Sequence, residues 1–225
     1  MLTEISYFLN ETAPKWPTNP SEKLEAVLSF SKGGICNAYS VYHHMHNGTH
    51  VDAPCHFCPT GRTIDEIPIE DFLYTNPYIA NFKRKKGGRI TLEDIMSIEN
   101  EMNQSDILCI YTGYADLRET DPAAFTDDFP SLTPDAAVYL RKNFPKLKAI
   151  AIDVVGVDSP ATQGFPVHKA LLDHMEGTPR TLLLFEDVNT RKLLELKGKV
   201  KMICAFPVRW EGAEAAPLCM VAISD

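Results

Sequence analysis

Short apolar runs alternate with segments of helical spacing through the middle of the chain, while strand-like runs dominate both ends. Residues 107–112, 148–155 and 181–185 are nearly continuous runs of aliphatic and aromatic positions, as expected for strands buried on both faces. Residues 78–82, 200–206 and 218–223 also predict strands, and residues 1–8 a short one. Residues 36–46 are rich in β-formers, and period-two alternation there puts His44 and His46 on one face and His43 on the other. Thr91 predicts a helix N-cap, with Glu93 and Asp94 in the first turn and Ile95, Met96 and Ile98 forming a stripe up to about Met102. Thr133-Pro134-Asp135 opens a second helix that runs to about Asn143, and residues 167–175 predict a third.

This alternation shows no repeat, linker or low-complexity tract. It predicts an α/β fold: a single domain over residues 1–225, with a mixed, barrel-like β-sheet flanked by helices. Pro14, Pro17 and Pro20 exclude regular structure around them and predict an irregular N-terminal arm at about residues 9–22.

At 225 residues and 44% hydrophobic composition, the chain can bury one substantial core. Its net charge of −8 opposes a phosphate backbone, so no nucleic-acid partner is expected. The cluster Lys83-Arg84-Lys85-Lys86 is followed by Gly87 and Gly88 and reads as an exposed turn. Apolar runs such as Leu182-Leu183-Leu184-Phe185 are too short for a bilayer, so no membrane association is expected. Glu4 interrupts the start before any signal-peptide pattern, and the six cysteines are scattered through mostly apolar segments; a cytoplasmic protein is expected.

Candidate chemistry is concentrated in one place: five of the seven histidines fall between His43 and His56. Imidazole and carboxylate suit zinc, manganese and iron. Gly48 and Pro54 break any continuous helix, which separates the stretch from helical H-E-x-x-H sites. A strand end turning at Asn47-Gly48 brings His46 and His50 together, and Asp52, two residues on, shares the face of His50. His46, His50 and Asp52 then form a three-ligand site with open positions. His56 is placed as general acid/base beside it, and Thr49 as a residue that orients a ligand through its hydroxyl. The Cys55-x-x-Cys58 pair lacks both the helix start of a redox motif and the second pair of a structural zinc site.

The pattern His46-x-Gly48-Thr49-His50-x-Asp52-x-Pro54-x-His56, followed by Phe57, closely resembles the signature of the Putative cyclase family, which includes bacterial kynurenine formamidases and isatin hydrolase. Further matches follow in order: Pro17 to Pro20, Thr63 to Pro68, Tyr111 to Tyr114, Ala151 to Asp153, Val167 to Leu172 and Ala205 to Val208. The resemblance implies a cyclase-like fold and a metal-dependent hydrolase of a small amide or cyclic amide, similar to arylformamidase. It implies zinc or manganese, one or two ions per subunit. His46, His50 and Asp52 would hold the first ion, and Asp52 would bridge to a second held by His168 and Glu186; His56 would be catalytic. Residues 173–180 look like an insertion between His168 and Glu186. An isatin-hydrolase-like lactam hydrolase with one metal would use Gln163 among its ligands. A metal- or ligand-binding protein without turnover is the alternative of another class. The resemblance further implies Trp16 in a pocket for a small-molecule substrate and a homodimer or homotetramer.

Overall fold

The computed structural model describes residues 1–196 and 198–225. Among the described residues nine strands form one sheet in the order Leu73–Tyr74, Val200–Pro207, Ala215–Ser224, His50–Asp52, Leu183–Glu186, Ala149–Ile152, Ile107–Tyr111 and Pro77–Asn81, with Leu2–Glu4 paired to Ala215–Ser224. The last four strands of that path run parallel to one another, and every other pairing is antiparallel. The sheet is therefore mixed, as its alternating pattern predicts. Its two edge strands, Leu73–Tyr74 and Pro77–Asn81, are consecutive in the chain, so the sheet curls back on itself into a nearly closed barrel. Asp106 secures that corner by accepting the Thr75 and Asn76 amides at 2.7 and 3.0 Å.

Side-chain alternation divides the interior into two cores. Val51, Ile107, Cys109, Ala149, Ala151, Leu183 and Phe185 point into the barrel and pack with Phe72, Tyr74, Ile203 and Met220. Leu108, Ile110, Ile150, Ile152 and Leu184 point the other way, against Ile95, Ala136, Leu140 and Leu171 of the covering helices. Complete burial of each large aliphatic side chain is worth about 1.5–3 kcal/mol, which makes this two-sided apolar run the main determinant of the parallel half.

Several elements depart from expectation. The strand expected over residues 36–46 stops at Tyr42; Ala38–Tyr42 pairs with Lys23–Leu28, in a two-stranded sheet whose side chains are almost all exposed. The helix expected up to Met102 divides into Leu92–Met96 and Glu99–Met102. At the break, Ser97 Oγ donates to the Asp94 carbonyl at 2.6 Å, an alternative partner to the helical ladder. The third helix ends at Leu172, and the last strand, Ala215–Ser224, is longer than its apolar run. The arm at residues 9–22 contains turns but neither helix nor strand. Among the described residues no helix is long and apolar enough to cross a membrane.

Candidate active site

The His50–Asp52 strand lies between Ala215–Ser224 and Leu183–Glu186, with Glu186 opposite His50 and Leu184 opposite Asp52. This register puts His50, Asp52 and Glu186 on one face, the face that the helices cover. His50, Asp52 and Glu186 are consequently buried. Gly48, at φ +65°, makes the turn before the strand; a Cβ there would lie 2.3 Å from Leu9 Cδ2. That turn returns His46 over the strand, with Nδ1 2.9 Å from Asp52 Oδ1. Pro54 then opens the single 3-10 turn Pro54–His56, which lifts His56 beside His46 with ring centroids 4.2 Å apart. The helix Pro166–Leu172 supplies His168 from above, its Nε2 3.4 Å from Glu186 Oε1.

Asp52 is the centre of this cluster. His46 and His50 approach Oδ1 at 2.9 and 3.4 Å, while His168 and His56 approach Oδ2 at 3.8 and 3.9 Å. Glu186 spans the two sides, with Oε2 3.4 Å from His50 Nε2 and Oε1 3.4 Å from His168 Nε2. Both oxygens of Asp52 and Nε2 of His50 are buried and make no hydrogen bond. Unpaired buried polar atoms are costly, and a cation is the partner that satisfies two carboxylates and several imidazoles together. His46, Asp52 and His56 form one group of three, and His50, Asp52 and Glu186 another; within each, the donor atoms lie within 4.8 Å of one another. The residues therefore fit a divalent metal.

Outer partners orient the imidazoles. His50 Nδ1 lies 2.9 Å from the Gly48 carbonyl, which fixes that nitrogen as the N–H and aims the lone pair of Nε2 at Asp52 and Glu186. Asp158 holds His168 Nδ1 at 2.7 Å and accepts the Val167 and His168 amides as well. Glu214 stands 3.3 Å from His46 Nε2. Asp158 and Glu214 are functional candidates that the ligand pattern missed. Their only sequence signal is an acidic residue beside an apolar segment, and contact with a distant histidine leaves no local trace. Thr49 orients no ligand: its hydroxyl donates to the Asp187 carbonyl at 2.6 Å and accepts the Tyr7 amide at 3.0 Å, so it ties the motif to the residue after Glu186.

Electrostatics separate the histidines. Burial alone would lower His46, but the Asp52 carboxylate 2.9 Å away outweighs it and raises it to about 9. For His168, Asp158 and Glu186 overcome burial and raise it to about 10. Burial also opposes the charge on Glu186, yet His168 and His50 hold it down at about 2. His56 goes the other way, because burial lowers it to about 4 and the attraction of Asp52 fails to compensate. Among the four histidines around Asp52 it is thus the one whose pKa is depressed.

Gln163 is exposed and lies outside the cavity next to the cluster, contrary to its expected place as a ligand. The turn through Gly164 (φ +77°) and Phe165 (φ +51°) instead presents the Phe165 ring to that cavity. The insertion at residues 173–180 does not separate His168 from Glu186. Arg141 bridges its two ends, donating to the carbonyls of Ala170, Asp173 and Arg180, so the extra residues loop outward. His43 lies off the cluster, 3.4 Å from Glu22.

The cavity has a volume of about 370 Å³, and Trp16, Phe57, Val155 and Phe165 form its apolar side. Trp16 arrives on the N-terminal arm. Asn19 Nδ2 donates to Asn47 Oδ1 at 3.0 Å, and Asn47 Nδ2 donates to the Pro20 carbonyl and to Glu22 at 2.9 and 2.5 Å. The arm is thereby pinned to the turn that carries His46.

The family described as Putative cyclase matches residues 3–159, well over half of the chain. A kynurenine formamidase of Geobacillus thermodenitrificans (strain NG80-2) is 28% identical over 172 residues, 75% of this chain and 75% of that protein. An isatin hydrolase solved with the product analogue thioisatinate has a TM-score of 0.84 at 18% identity, covering 100% of this chain and 92% of that one. A potential metal-dependent hydrolase with cyclase activity has a TM-score of 0.76 at 22% identity, covering 100% and 98%. These two structures share the fold just described, and the family match spans the motif strand, the Pro54–His56 turn and Asp158. The chain belongs to the Putative cyclase family.

Proposed function

We propose that the protein is a metal-dependent hydrolase of small amides or cyclic amides, with arylformamidase-like chemistry. The observation that carries this reading is Asp52, whose two buried oxygens make no hydrogen bond and face different histidine pairs beside an aromatic cavity. The kynurenine formamidase relative supports the same reaction class. His46, His50 and Asp52 would hold one ion, and Asp52 with His168 and Glu186 would hold a second. Zinc and manganese both suit this nitrogen and oxygen set. When bound, a divalent cation polarises a carbonyl and lowers the pKa of water from 15.7 to about 7.

His56 does the proton work. Burial lowers it to about 4, so its ring is neutral near pH 7 and able to accept a proton from the attacking water. As the carbonyl carbon gains its new C–O bond and the C–N bond breaks, His56 returns that proton to the leaving nitrogen. General acid–base action of this kind contributes about 10²–10⁴ in rate. Neighbouring rings hold the imidazole in place, with Phe57 4.5 Å away and His46 4.2 Å away. A metal-binding protein without turnover would have no use for a neutral, partly exposed imidazole facing the cavity. Protein loaded with zinc or manganese, assayed against N-formyl anilides and cyclic amides, tests the reading; no hydrolysis of any of them would end it.

The proposal extends to a second copy of the chain as partner. Leu24, Tyr39 and Val41 project from one face of the small two-stranded sheet and are each more than half exposed, and an apolar face of this kind suits a homodimer or homotetramer contact. Free thiols at all six cysteines support a cytoplasmic location.

A further inference from the structure

The arm that carries Trp16 is held at two points. At the first, the Trp16 ring packs against Phe129 and Phe165, with centroids 6.1 and 5.8 Å apart. Gly156 makes that seat possible, because a Cβ there would stand 3.1 Å from the Trp16 ring. The second point is Asn47, which is fully buried and stands where the signature leaves a position open between His46 and Gly48. Its Oδ1 accepts Asn19 Nδ2, and its Nδ2 donates to the Pro20 carbonyl and to Glu22 Oε1.

Neighbouring groups do not share this role. The other oxygen of Glu22 and both ring nitrogens of His43 are buried without a hydrogen bond, although His43 lies 3.4 Å from Glu22. Among the described residues, every hydrogen bond between the arm at residues 9–22 and the turn at residues 43–48 therefore runs through Asn47. Asn19 passes the constraint on. Its backbone amide donates to the Trp16 carbonyl at 3.0 Å, closing a turn that Pro17 stiffens. One chain of contacts thus joins the residue after His46 to the ring that walls the cavity.

We infer that Asn47 is a positioning residue that sets substrate affinity by fixing Trp16 at the cavity, an inference that rests on the amide-hydrolase reading and goes beyond it. A wall ordered before the substrate arrives spares the ordering cost that binding would otherwise bear. Among the described residues the arm makes no hydrogen bond to His56 or to the candidate metal ligands, so its release acts on KM rather than on kcat.

The test uses zinc-loaded protein in a Trp210→Phe background, which leaves Trp16 as the single tryptophan. Asn47→Ala is expected to raise acrylamide quenching of Trp16 toward that of the exposed Trp210, read from the Trp16→Phe variant. KM for formanilide should rise about ten-fold, the order that loss of a hydrogen bond to a charged group gives, with kcat and metal per chain near their native values. Asn19→Ala, which changes only the arm, should shift quenching and KM in the same direction. Glu22→Gln/Asn47→Asp exchanges donor and acceptor across one contact and should recover part of the loss that Asn47→Asp alone causes. Unchanged quenching, unchanged KM or loss of metal in Asn47→Ala overturns the inference, as does a double variant that recovers nothing. Native protein that hydrolyses no formanilide sinks the hydrolase reading, while quenching, which needs no turnover, still decides whether Asn47 holds the arm.

Discussion

His50 and Glu186 face each other directly across two antiparallel strands, and the imidazole Nε2 lies 3.4 Å from the carboxylate Oε2. The pairing of two strands, not a contact along the chain, therefore places a nitrogen and an oxygen donor on the same buried face. Glu186→Gln keeps the shape and removes the charge, so metal per chain measured by elemental analysis should fall. Asp158→Asn acts one step further out, through His168 Nδ1, and should weaken metal binding about 10–100-fold in a chelator competition. Unchanged affinity in both variants would show that His168 and Glu186 hold no ion.

His56→Ala should lower turnover by about 10²–10⁴ while leaving the metal content close to that of the native protein. His56 is the more weakly held of the two neighbouring imidazoles, at 3.9 Å from Asp52 against 2.9 Å for His46. Loss of metal from this variant would make His56 a ligand and transfer the proton role elsewhere.

Metal-free protein should lose stability as pH rises, and metal should bind more tightly over the same range. His46 and His168 are raised from about 6.5 to about 9 and about 10 by their carboxylate partners. A raised folded-state pKa contributes stability in full below 6.5, and that contribution disappears as pH climbs through 9 to 10. Metal competes with those same protons, so its binding releases them and is favoured at higher pH. Thermal melts of chelator-treated protein from pH 6.5 to 10, paired with metal titrations in two buffers of different ionisation enthalpy, check both signs. A flat melt profile contradicts the pairing.

Arg118 and Asp187 form a buried two-point ion pair at 2.6 and 2.7 Å, with the guanidinium 3.7 Å over the Tyr7 ring. Asp187 sits at φ +50° and its carbonyl receives the Thr49 hydroxyl, so the pair locks the backbone next to Glu186. Arg118→Ala strands a buried carboxylate and should cost about 3–5 kcal/mol in urea unfolding. A loss below about 1 kcal/mol, the level typical of exposed pairs, would show that the bridge is dispensable.

Val41→Asp introduces a charge on the exposed apolar face of the small sheet, where Val41 is 66% exposed. Light scattering should report an oligomer for the native chain and a smaller species for the variant. An unchanged mass would place the contact between copies elsewhere.

The sequence by itself determined the α/β alternation, the two-sided apolar strands and the candidate ligand run from His46 to His56, because periodicity and donor spacing are properties of neighbouring residues. The glycine-broken geometry was legible too, since Gly48 and Pro54 constrain their own backbone. It misplaced Gln163, overextended the strand into His43 and His44, and gave no sign of Glu214 or Asp158 as partners of histidines. Tertiary structure alone decided those points. The curl of the sheet, the register that sets His50 against Glu186, and the Arg141 bridge that loops residues 173–180 outward all arise from segments far apart in the chain. Their partners are chosen by burial and backbone pairing across the fold, and no window of consecutive residues contains that information.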